Sequence, residues 1–306
     1  MDDTHGHAIG IDLGGTKILA GVVTREGEIL RRHERLTPAT QDELLDELDA
    51  AIEELRDDSV AAVGLGIPAP IDQVHGRVFQ AVNTPLGDVD LRDRIRDRFS
   101  LPVGLDNDAN AATIGEWRAG AARGASHVVM LTLGTGCGGG LILGGKPFRG
   151  STGAGAELGH VVVVHDGRPC QGRCTGRGHL EAYVTGVAAT AAAQLEFGPA
   201  ADAHRLVRLA NEGDTTARGI LAEIGGYLGS GLGSFANVFE PELIVIGGGF
   251  GVAAWAHLMP AAEAVLRREA LPPMRDEVKV VRAELGTSAG LIGAAFVAYE
   301  ALDEAA

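Results

Sequence analysis

One order of predicted strands and helices occurs twice along this chain. The first copy begins with an apolar strand over residues 7–13, a glycine turn and a second strand, KILAGVV. The stretch HVVMLTLGTGCGGGLILGG begins the second copy with the same strand, glycine turn and strand. Aligning Gly14 with Gly134 places Asp12 opposite Thr132. The repeated order predicts two similar α/β units, each a mixed sheet covered by helices.

Further segments complete both copies. In the first, a helical pattern in TQDELLDELDAAIEELRDD precedes a buried strand, VAAVGLGIPAP, and a strand, loop and helix in LPVGLDNDANAATIGEWRAG. In the second, a long helical stretch, the strand PELIVIGGGF, a helix and the strand EVKVVRA follow. The helix SAGLIGAAFVAYEAL closes the chain. We expect a first domain of residues 1–120 that the C-terminal helix of about 288–306 joins, and a second domain of residues 121–287.

Composition excludes several classes of function. The formal net charge is −15, with 26 Lys and Arg against 41 Asp and Glu. A phosphate backbone is held chiefly by Lys and Arg, so we expect no nucleic-acid partner. No uninterrupted apolar run reaches the length of about 18 residues that a membrane span needs, and we expect no membrane partner. Three cysteines do not make a disulfide framework, and we expect a cytoplasmic protein.

Three glycine clusters each follow an apolar strand: DLGGT from Asp12, GTGCGG from Gly134, and GGG from Gly247. Glycine permits close backbone approach, so such turns expose N–H groups to phosphate oxygens. Each cluster alone is also compatible with a simple tight turn. Three clusters at three strand ends favour a shared phosphate-bearing ligand.

Two familiar nucleotide motifs do not fit these clusters. GIDLGGTK lacks the Gly-Lys-Ser/Thr order of a P-loop, because Thr16 precedes Lys17. GTGCGG has the glycine spacing of a dinucleotide site, but a predicted strand follows it where the fingerprint needs a helix. A dinucleotide-dependent oxidoreductase is therefore disfavoured.

Five motifs in register, IGIDLGGTK, DNDANAA, LGTGCGGG, GAGAELGH and LIVIGGG, resemble the ROK family of sugar kinases and sugar-responsive repressors. The resemblance runs from about residue 7 to residue 300. It implies an actin-like ATPase (ribonuclease H-like) fold of two similar domains with the active-site cleft between them. It also implies that ATP phosphorylates a hexose, with glucose converted to glucose 6-phosphate as the expected reaction.

The resemblance assigns the catalytic residues. Asp108 is the expected general base that accepts the proton of the sugar hydroxyl, and Asn107 is expected to bind the sugar. The alternative is that Asp108 only caps a helix beginning near Ala109. Asp12 resembles the acid that organises Mg²⁺ through water, and its alternative is a turn aspartate that binds its own backbone.

The remaining binding residues also follow from the resemblance. Those expected to contact ATP are Asp12, Gly14, Gly15, Thr16, Lys17, Thr135, Gly136, Gly248 and Gly249. Those expected to contact the hexose are Asn83, Asn107, Asp108, Glu157, His160 and Glu181. A sugar hydroxyl both donates and accepts hydrogen bonds, which matches this mixed set of side chains.

The stretch PCQGRCTGRGHLE predicts a metal site. Cys170, Cys174 and His179 lie within ten residues, and His160 precedes them. Two thiolates and two imidazoles satisfy tetrahedral Zn²⁺ and leave no open position, so the zinc is expected to be structural. The CxxxC spacing differs from that of a CxxC redox pair. The family pattern CxCGxxGCxE is altered twice: the first cysteine lies two residues earlier, and His179 replaces the third.

Several alternatives stay open. Within enzymes they are a kinase for N-acetylmannosamine, N-acetylglucosamine or fructose, and a glucokinase that uses polyphosphate. From another class comes the sugar-sensing repressor, which needs a DNA-binding helix-turn-helix domain ahead of the first motif. Only a few residues precede the first strand and the net charge is acidic, so the repressor is disfavoured. The resemblance also implies a homodimer.

Overall fold

The computed structural model describes residues 6–81 and 84–306. The chain forms two compact units. The first unit comprises Met1–Gly124, Pro147–Ala156 and Glu284–Ala306, and the second comprises Ala125–Lys146 and Glu157–Ala283. Within the described residues, no helix is both long and apolar enough to cross a membrane.

Strands and helices follow the predicted order, with additions. The strands are β1 His7–Leu13, β2 Lys17–Val23, β3 Ile29–Leu36, β4 Val60–Ile67, β5 Ile71–Asp72, β6 Arg77–Val78, β7 Val103–Asn107, β8 Val128–Leu133, β9 Cys137–Leu143, β10 Lys146–Pro147, β11 Leu243–Gly247 and β12 Lys279–Arg282. The helices are α1 Gln41–Leu55, α2 Leu91–Phe99, α3 Asp108–Ala119, α4 Glu181–Val184, α5 Gly186–Phe197, α6 Ala203–Asn211, α7 Thr215–Phe239, α8 Gly249–Ala253, α9 Trp255–Glu269, α10 Met274–Glu277 and α11 Ala289–Ala305.

The two five-stranded sheets have the same topology. Their orders are β3-β2-β1-β4-β7 and β10-β9-β8-β11-β12. In each, the first hairpin is antiparallel and the later strands run parallel to its first strand. Asp12 lies opposite Gly66 in the first sheet, and Thr132 lies opposite Gly247 in the second. The predicted α/β fold with a duplicated unit is confirmed, and Asp12 and Thr132 are register equivalents.

Successive side chains of β1 point to opposite faces of the sheet and pack into two separate core clusters of the first unit. Ile9, Ile11 and Leu13 pack with α1 and α2 on one face of the sheet. Ala8, on the opposite face, packs with α3 and α11. Because side chains alternate along a strand, Gly10 and Asp12 share the face of Ala8.

A row of glycines on this face lets α11 lie directly on the sheet. Gly21, Gly10, Gly64 and Gly104 are neighbours in register across four strands. A Cβ atom at Gly10, Gly64 or Gly104 would overlap a backbone carbonyl of α11. The glycines therefore permit a close approach that any larger residue prevents.

The structure corrects three details. The β5–β6 hairpin and helices α4 to α6 were not predicted. The predicted helix GVAAWAHLMPAAEAVLRREAL is two helices, because Ala254 leaves the helical region with φ −90° and ψ 0°. Residues 147–156 were placed in the second domain but belong to the first unit, because Arg149 pairs with Asp106 and Glu300 there.

Candidate functional site

Two carboxylates lie at one edge of the first sheet. The strands β1, β4 and β7 are parallel, so their carboxyl ends share that edge. Asp12 is the penultimate residue of β1, and Asp108 follows β7 directly. Between them, Gly66 of β4 lets α3 approach closely, since a Cβ atom there would lie only 3.0 Å from the Ala111 Cβ and in contact with the Asp108 Cα at 3.6 Å. The edge thus combines two acids at a strand-end position typical of ligand sites in α/β folds.

Asp12 is enclosed by the closing helix. It shares a sheet face with α11, and a Cβ atom at Gly290 would lie 2.5 Å from its Oδ2 atom. The surrounding protein displaces water, and Asp108 adds a like charge; together they raise the pKa of Asp12 to about 7. A nearby cation would reverse this shift, so the site is suited to a positively charged ligand.

The capping residue of α3 is Asn107, and the helix begins at Asp108. The Asn107 side-chain oxygen accepts hydrogen bonds from the Ala109 and Asn110 N–H groups, at 2.9 and 3.3 Å. The N-cap role considered for Asp108 therefore belongs to Asn107. Asp108 Oδ1 also accepts the Ala109 N–H, at 2.9 Å. Desolvation raises the pKa of Asp108, against the hydrogen bonds from Ala109 and Asn107, which lower it.

The turn between β1 and β2 presents its tip to solvent. The Gly14 N–H donates to the Lys17 carbonyl at 2.9 Å, and Gly15 and Thr16 are exposed. The Thr37 hydroxyl donates to the Gly14 carbonyl at 2.7 Å, which anchors the turn. The Lys17 ammonium lies 2.5 Å from Glu34 of β3, so it has a carboxylate partner within its own sheet.

The second unit contains a cavity of about 630 Å³. Such a volume is typical of small-ligand sites. Its lining includes Gly134 and Thr135 after β8, Gly249 at the start of α8, and residues of α5 and α6. Two of the predicted ATP residues, Thr135 and Gly249, therefore line one cavity.

Two other predicted residues hold the shape of the turns beside this cavity. Gly248 has φ +79°, and a Cβ atom there would overlap the backbone of Leu133 at the end of β8. A Cβ atom at Gly136 would lie 2.8 Å from Glu181 Oε2. That same oxygen accepts the Cys137 N–H at 2.9 Å, so Glu181 anchors the glycine turn.

The four predicted metal ligands form one cluster in the second unit. One ligand atom from each of His160, Cys170, Cys174 and His179 lies within 4.8 Å of all the others. The two Nδ1 atoms of His160 and His179 are 3.2 Å apart. Cys170 Sγ lies 3.6 Å from His160 Nδ1, and Cys174 Sγ lies 3.5 Å from His179 Nδ1.

These separations fit a tetrahedral metal ion. Zinc bond lengths require edges of about 3.3 Å between two nitrogens and about 3.6 Å between nitrogen and sulfur. Burial, with further contributions from Cys174 and Glu181, raises the pKa of the Cys170 thiol to about 12. A divalent cation would offset this cost and hold the thiolate.

The predicted sugar residues of the second unit surround this cluster. His160 turns Nδ1 towards the cluster, while its Nε2 atom lies 3.9 Å from Glu157 Oε2. Glu181 Oε1 lies 3.6 Å from Cys170 Sγ. The second unit thus brings these three residues to the metal cluster, and the first unit brings Asn107 to Asp108. Asn83 lies outside the described residues.

Sequence reasoning missed most of the cavity wall. Val187, Thr190, Ala191 and Gln194 of α5 line the cavity, as does His204 of α6. The α5 sequence, GVAATAAAQLEF, has no polar face or glycine motif that marks it as part of a binding site. Only the packed structure identifies these residues.

Comparison with known proteins gives a consistent result. The model of the ROK family matches residues 8–301. A glucokinase from Streptomyces coelicolor is 35% identical, covering 96% of this chain and 98% of that protein. The crystal structure of a ROK family glucokinase from Streptomyces griseus in complex with glucose and AMPPNP has a TM-score of 0.82 at 35% identity, covering 96% of this chain and all of that chain. A xylose repressor from Bacillus spizizenii is 28% identical, covering 96% of this chain and 77% of that protein.

Proposed function

The chain belongs to the ROK family, and on that premise we propose that it transfers the γ-phosphoryl group of ATP to a hexose. Glucose is the proposed acceptor and glucose 6-phosphate the product, by similarity to the glucokinases that match nearly the whole chain. The observation that carries this proposal is the pair Asp12 and Asp108 at one sheet edge, each with a raised pKa. A protein that only binds sugar has no use for both acids.

Asp108 is the proposed general base. Phosphoryl transfer from ATP needs an acceptor for the hydroxyl proton of the sugar, and a carboxylate next to that hydroxyl serves this role. The start of α3 and the hydrogen bond from the Ala109 N–H fix the position of its carboxylate. Asn107 uses its side-chain oxygen for the helix cap, which leaves its amide N–H groups for Asp108 and for the sugar.

Asp12 is the proposed residue for Mg²⁺. When bound, the ion neutralises charge on the phosphate oxygens, and it is typically held by few carboxylates and several waters. The residues fit, because Asp12 lies at the sheet edge and has a raised pKa, which a divalent cation would lower. Gly14, Gly15 and Thr16 form the neighbouring turn; the Gly14 N–H closes it on the Lys17 carbonyl, and the exposed Gly15 and Thr16 are proposed to offer their backbone N–H groups to phosphate.

The cavity of the second unit is the proposed nucleotide site. Thr135 and Gly249 line it, and Gly136 and Gly248 shape the adjoining turns. Its volume is adequate for a nucleoside, and α5 supplies an apolar wall from Val187 and Ala191. ATP is preferred to polyphosphate here because a polyphosphate donor has no base to fill such a cavity.

A structural Zn²⁺ is proposed at the cluster of His160, Cys170, Cys174 and His179. Histidine in place of the usual third cysteine preserves the ligand number and the tetrahedral separations. The zinc would orient His160, whose other nitrogen points towards Glu157, and would fix the loop next to Glu181. These three side chains are the proposed hexose contacts of the second unit.

The cytoplasmic location and the homodimer implied by the resemblance stay predictions. Light scattering of the purified protein tests the dimer. A mass of one 31.6 kDa chain in solution would contradict it.

Incubation with ATP, Mg²⁺ and a panel of hexoses tests the function. The panel contains glucose, mannose, fructose, N-acetylglucosamine and N-acetylmannosamine, with ADP formation as the readout. We expect the highest kcat/KM with glucose. Preference for an N-acetylated sugar would overturn the proposed substrate, and no ADP with any sugar would overturn the kinase assignment.

A further inference from the structure

Asp106, the residue two positions before Asp108, has a completely buried side chain. Its Oδ1 atom accepts hydrogen bonds from the Asn107 N–H at 2.8 Å and from Asn110 Nδ2 at 3.0 Å. These donors lie on both sides of Asp108, at the end of β7 and in the first turn of α3. The orientation of the Asp106 carboxylate therefore sets the backbone from which Asn107 and Asp108 project.

Arg149 holds the other oxygen of this carboxylate. Its Nε atom lies 2.6 Å from Asp106 Oδ2, and its Nη2 atom lies 2.7 Å from Glu300 Oε2 of α11. A buried carboxylate without a cationic partner is strongly unfavourable, so Arg149 compensates the charge of Asp106 and fixes its carboxylate. The guanidinium also fixes direction, because its donors have a rigid planar geometry.

The segment that carries Arg149 is itself anchored in the first unit. The Gly155 N–H donates to the Arg149 carbonyl at 2.8 Å, which closes a loop over residues 149–155. Gly153, with φ +94°, packs against Ile71 and Gln73. Gln73 in turn donates to the Leu105 carbonyl of β7 at 3.0 Å. The loop is thus connected to β7 by two routes, one through Gln73 and one through Arg149.

We propose that Arg149 is a positioning residue for the kinase reaction, acting through Asp106 to hold Asn107 and Asp108 in a catalytic arrangement. This inference rests on the proposed function. Arg149 itself does not act on the substrate. It aligns the acceptor of the hydroxyl proton before the sugar binds, and small displacements of such a group reduce turnover strongly.

The variant Arg149→Met tests the proposal against a matched control, Arg94→Met. Arg94 makes a comparable pair with the buried Asp49, at 2.6 and 2.7 Å, where Arg98 is a second cation at 3.3 Å, and its side chain has a similar exposed fraction, 28% against 25% for Arg149. That pair joins α1 and α2 and has no contact with the end of β7. We expect Arg149→Met to lower kcat for glucose at least about tenfold, while Arg94→Met lowers the melting temperature and leaves kcat near the wild-type value.

A second pair of measurements separates positioning from simple stabilisation. Glu300→Gln keeps the bond between Arg149 and Asp106 and weakens only the contact between Arg149 and residue 300. We therefore expect a smaller loss of kcat than in Arg149→Met. If Arg149→Met does not fold, Glu300→Gln and Arg149→Lys carry the test. An unchanged kcat in all folded variants of this network would overturn the proposal, as would an equal loss of kcat in Arg94→Met.

Hydrogen exchange gives a readout that does not depend on kinase activity. We expect faster exchange of the amides of residues 107–110 in Arg149→Met, or in Arg149→Lys if only that variant folds, and not in Arg94→Met. Unchanged exchange there would contradict the positioning role even if the wild-type protein proved to lack kinase activity. A wild-type protein without activity but with the expected exchange difference would instead count against the proposed function alone.

Discussion

The two units of this protein share a backbone frame but place different chemistry on it. Asp12 and Thr132 are register equivalents, each next to a glycine of the neighbouring parallel strand. The first unit has a carboxylate there and a second one, Asp108, at the adjoining strand end. The second unit has a hydroxyl there and, beyond it, glycine turns that border a cavity. Duplication of a fold therefore does not duplicate a site, because strand-end residues decide the chemistry.

The same contrast holds in the packing. The row Gly21, Gly10, Gly64 and Gly104 in the first sheet corresponds to Gly140, Met130, Val245 and Val281 in the second. Only the first row permits a helix to contact the sheet backbone directly. That contact brings Gly290 of α11 against Asp12. The glycine row therefore accounts both for the close packing of α11 and for the enclosure of Asp12.

Substitutions at the two equivalent positions are expected to differ most in activity. Asp12→Asn removes the carboxylate proposed for Mg²⁺ and should lower kcat/KM by about 10³-fold. Thr132→Val removes one neutral hydroxyl at nearly constant volume and should cost about tenfold or less. Steady-state kinetics with glucose and ATP measures kcat/KM for both variants. Equal losses of kcat/KM would contradict the proposed difference between the two positions in catalysis.

The glycine row gives the next largest difference, in stability. Gly64→Ala forces its methyl group into the carbonyl of Ala294 and should lower the free energy of unfolding by about 3 kcal/mol. Val245→Ala, at the equivalent buried position, removes two methyl groups and should cost about 2 kcal/mol. Urea unfolding of both variants measures the difference. A smaller loss in Gly64→Ala would mean that α11 tolerates displacement from the sheet.

Asp12, the half-buried acid of the first unit, should also make stability depend on pH. The pKa of Asp12 is about 7 in the folded protein and 3.8 as the ordinary value, so the folded state binds the extra proton between these limits. Without Mg²⁺, stability should therefore fall as pH rises from about 4 to about 7, by at most about 1.4 kcal/mol per pH unit. Asp12→Asn should remove the part of this loss that Asp12 contributes, leaving that of Asp108, and Thr132→Val should leave the whole loss in place. Parallel pH curves for wild type and Asp12→Asn would contradict the raised pKa.

The metal cluster gives the smallest expected effect, confined to the second unit. Cys174→Ser should lower the zinc content, measured by elemental analysis, and raise KM for glucose about tenfold by releasing His160 and the loop next to Glu181. Cys137→Ser is the control, because Cys137 lies outside the cluster. If the zinc-depleted variant kept the wild-type KM, the proposed link between metal and sugar contacts would be wrong.

The sequence predicted the features whose residues are close together in the chain. The strands, the glycine turns and the predicted metal ligands from His160 to His179 all fall within short stretches, and the structure brings the four predicted ligands into one cluster. It did not reveal α5, because GVAATAAAQLEF is mostly small and apolar, with its few polar residues not gathered on one face, and so has no helical stripe. The pairing of Arg149 with Asp106 joins residues 43 positions apart and has no local signature.

The start of α3 at Asp108 shows that a sequence pattern can locate a helix end without identifying its N-cap residue. Asn and Asp both suit an N-cap, so the sequence does not decide which of Asn107 and Asp108 has that position. The structure gives it to Asn107, whose oxygen accepts two N–H groups. The helix therefore does not need Asp108 as its N-cap, which supports the proposal that Asp108 is the catalytic base.

The most direct test of the account is the variant Asp108→Asn, measured for glucose binding and for ADP formation under the same conditions. Removal of a general base should reduce kcat by about 10² to 10⁴-fold, while the affinity for glucose measured by calorimetry stays near that of the wild-type protein. A variant that binds glucose and retains a substantial fraction of the wild-type kcat would contradict the assignment of Asp108 as the catalytic base.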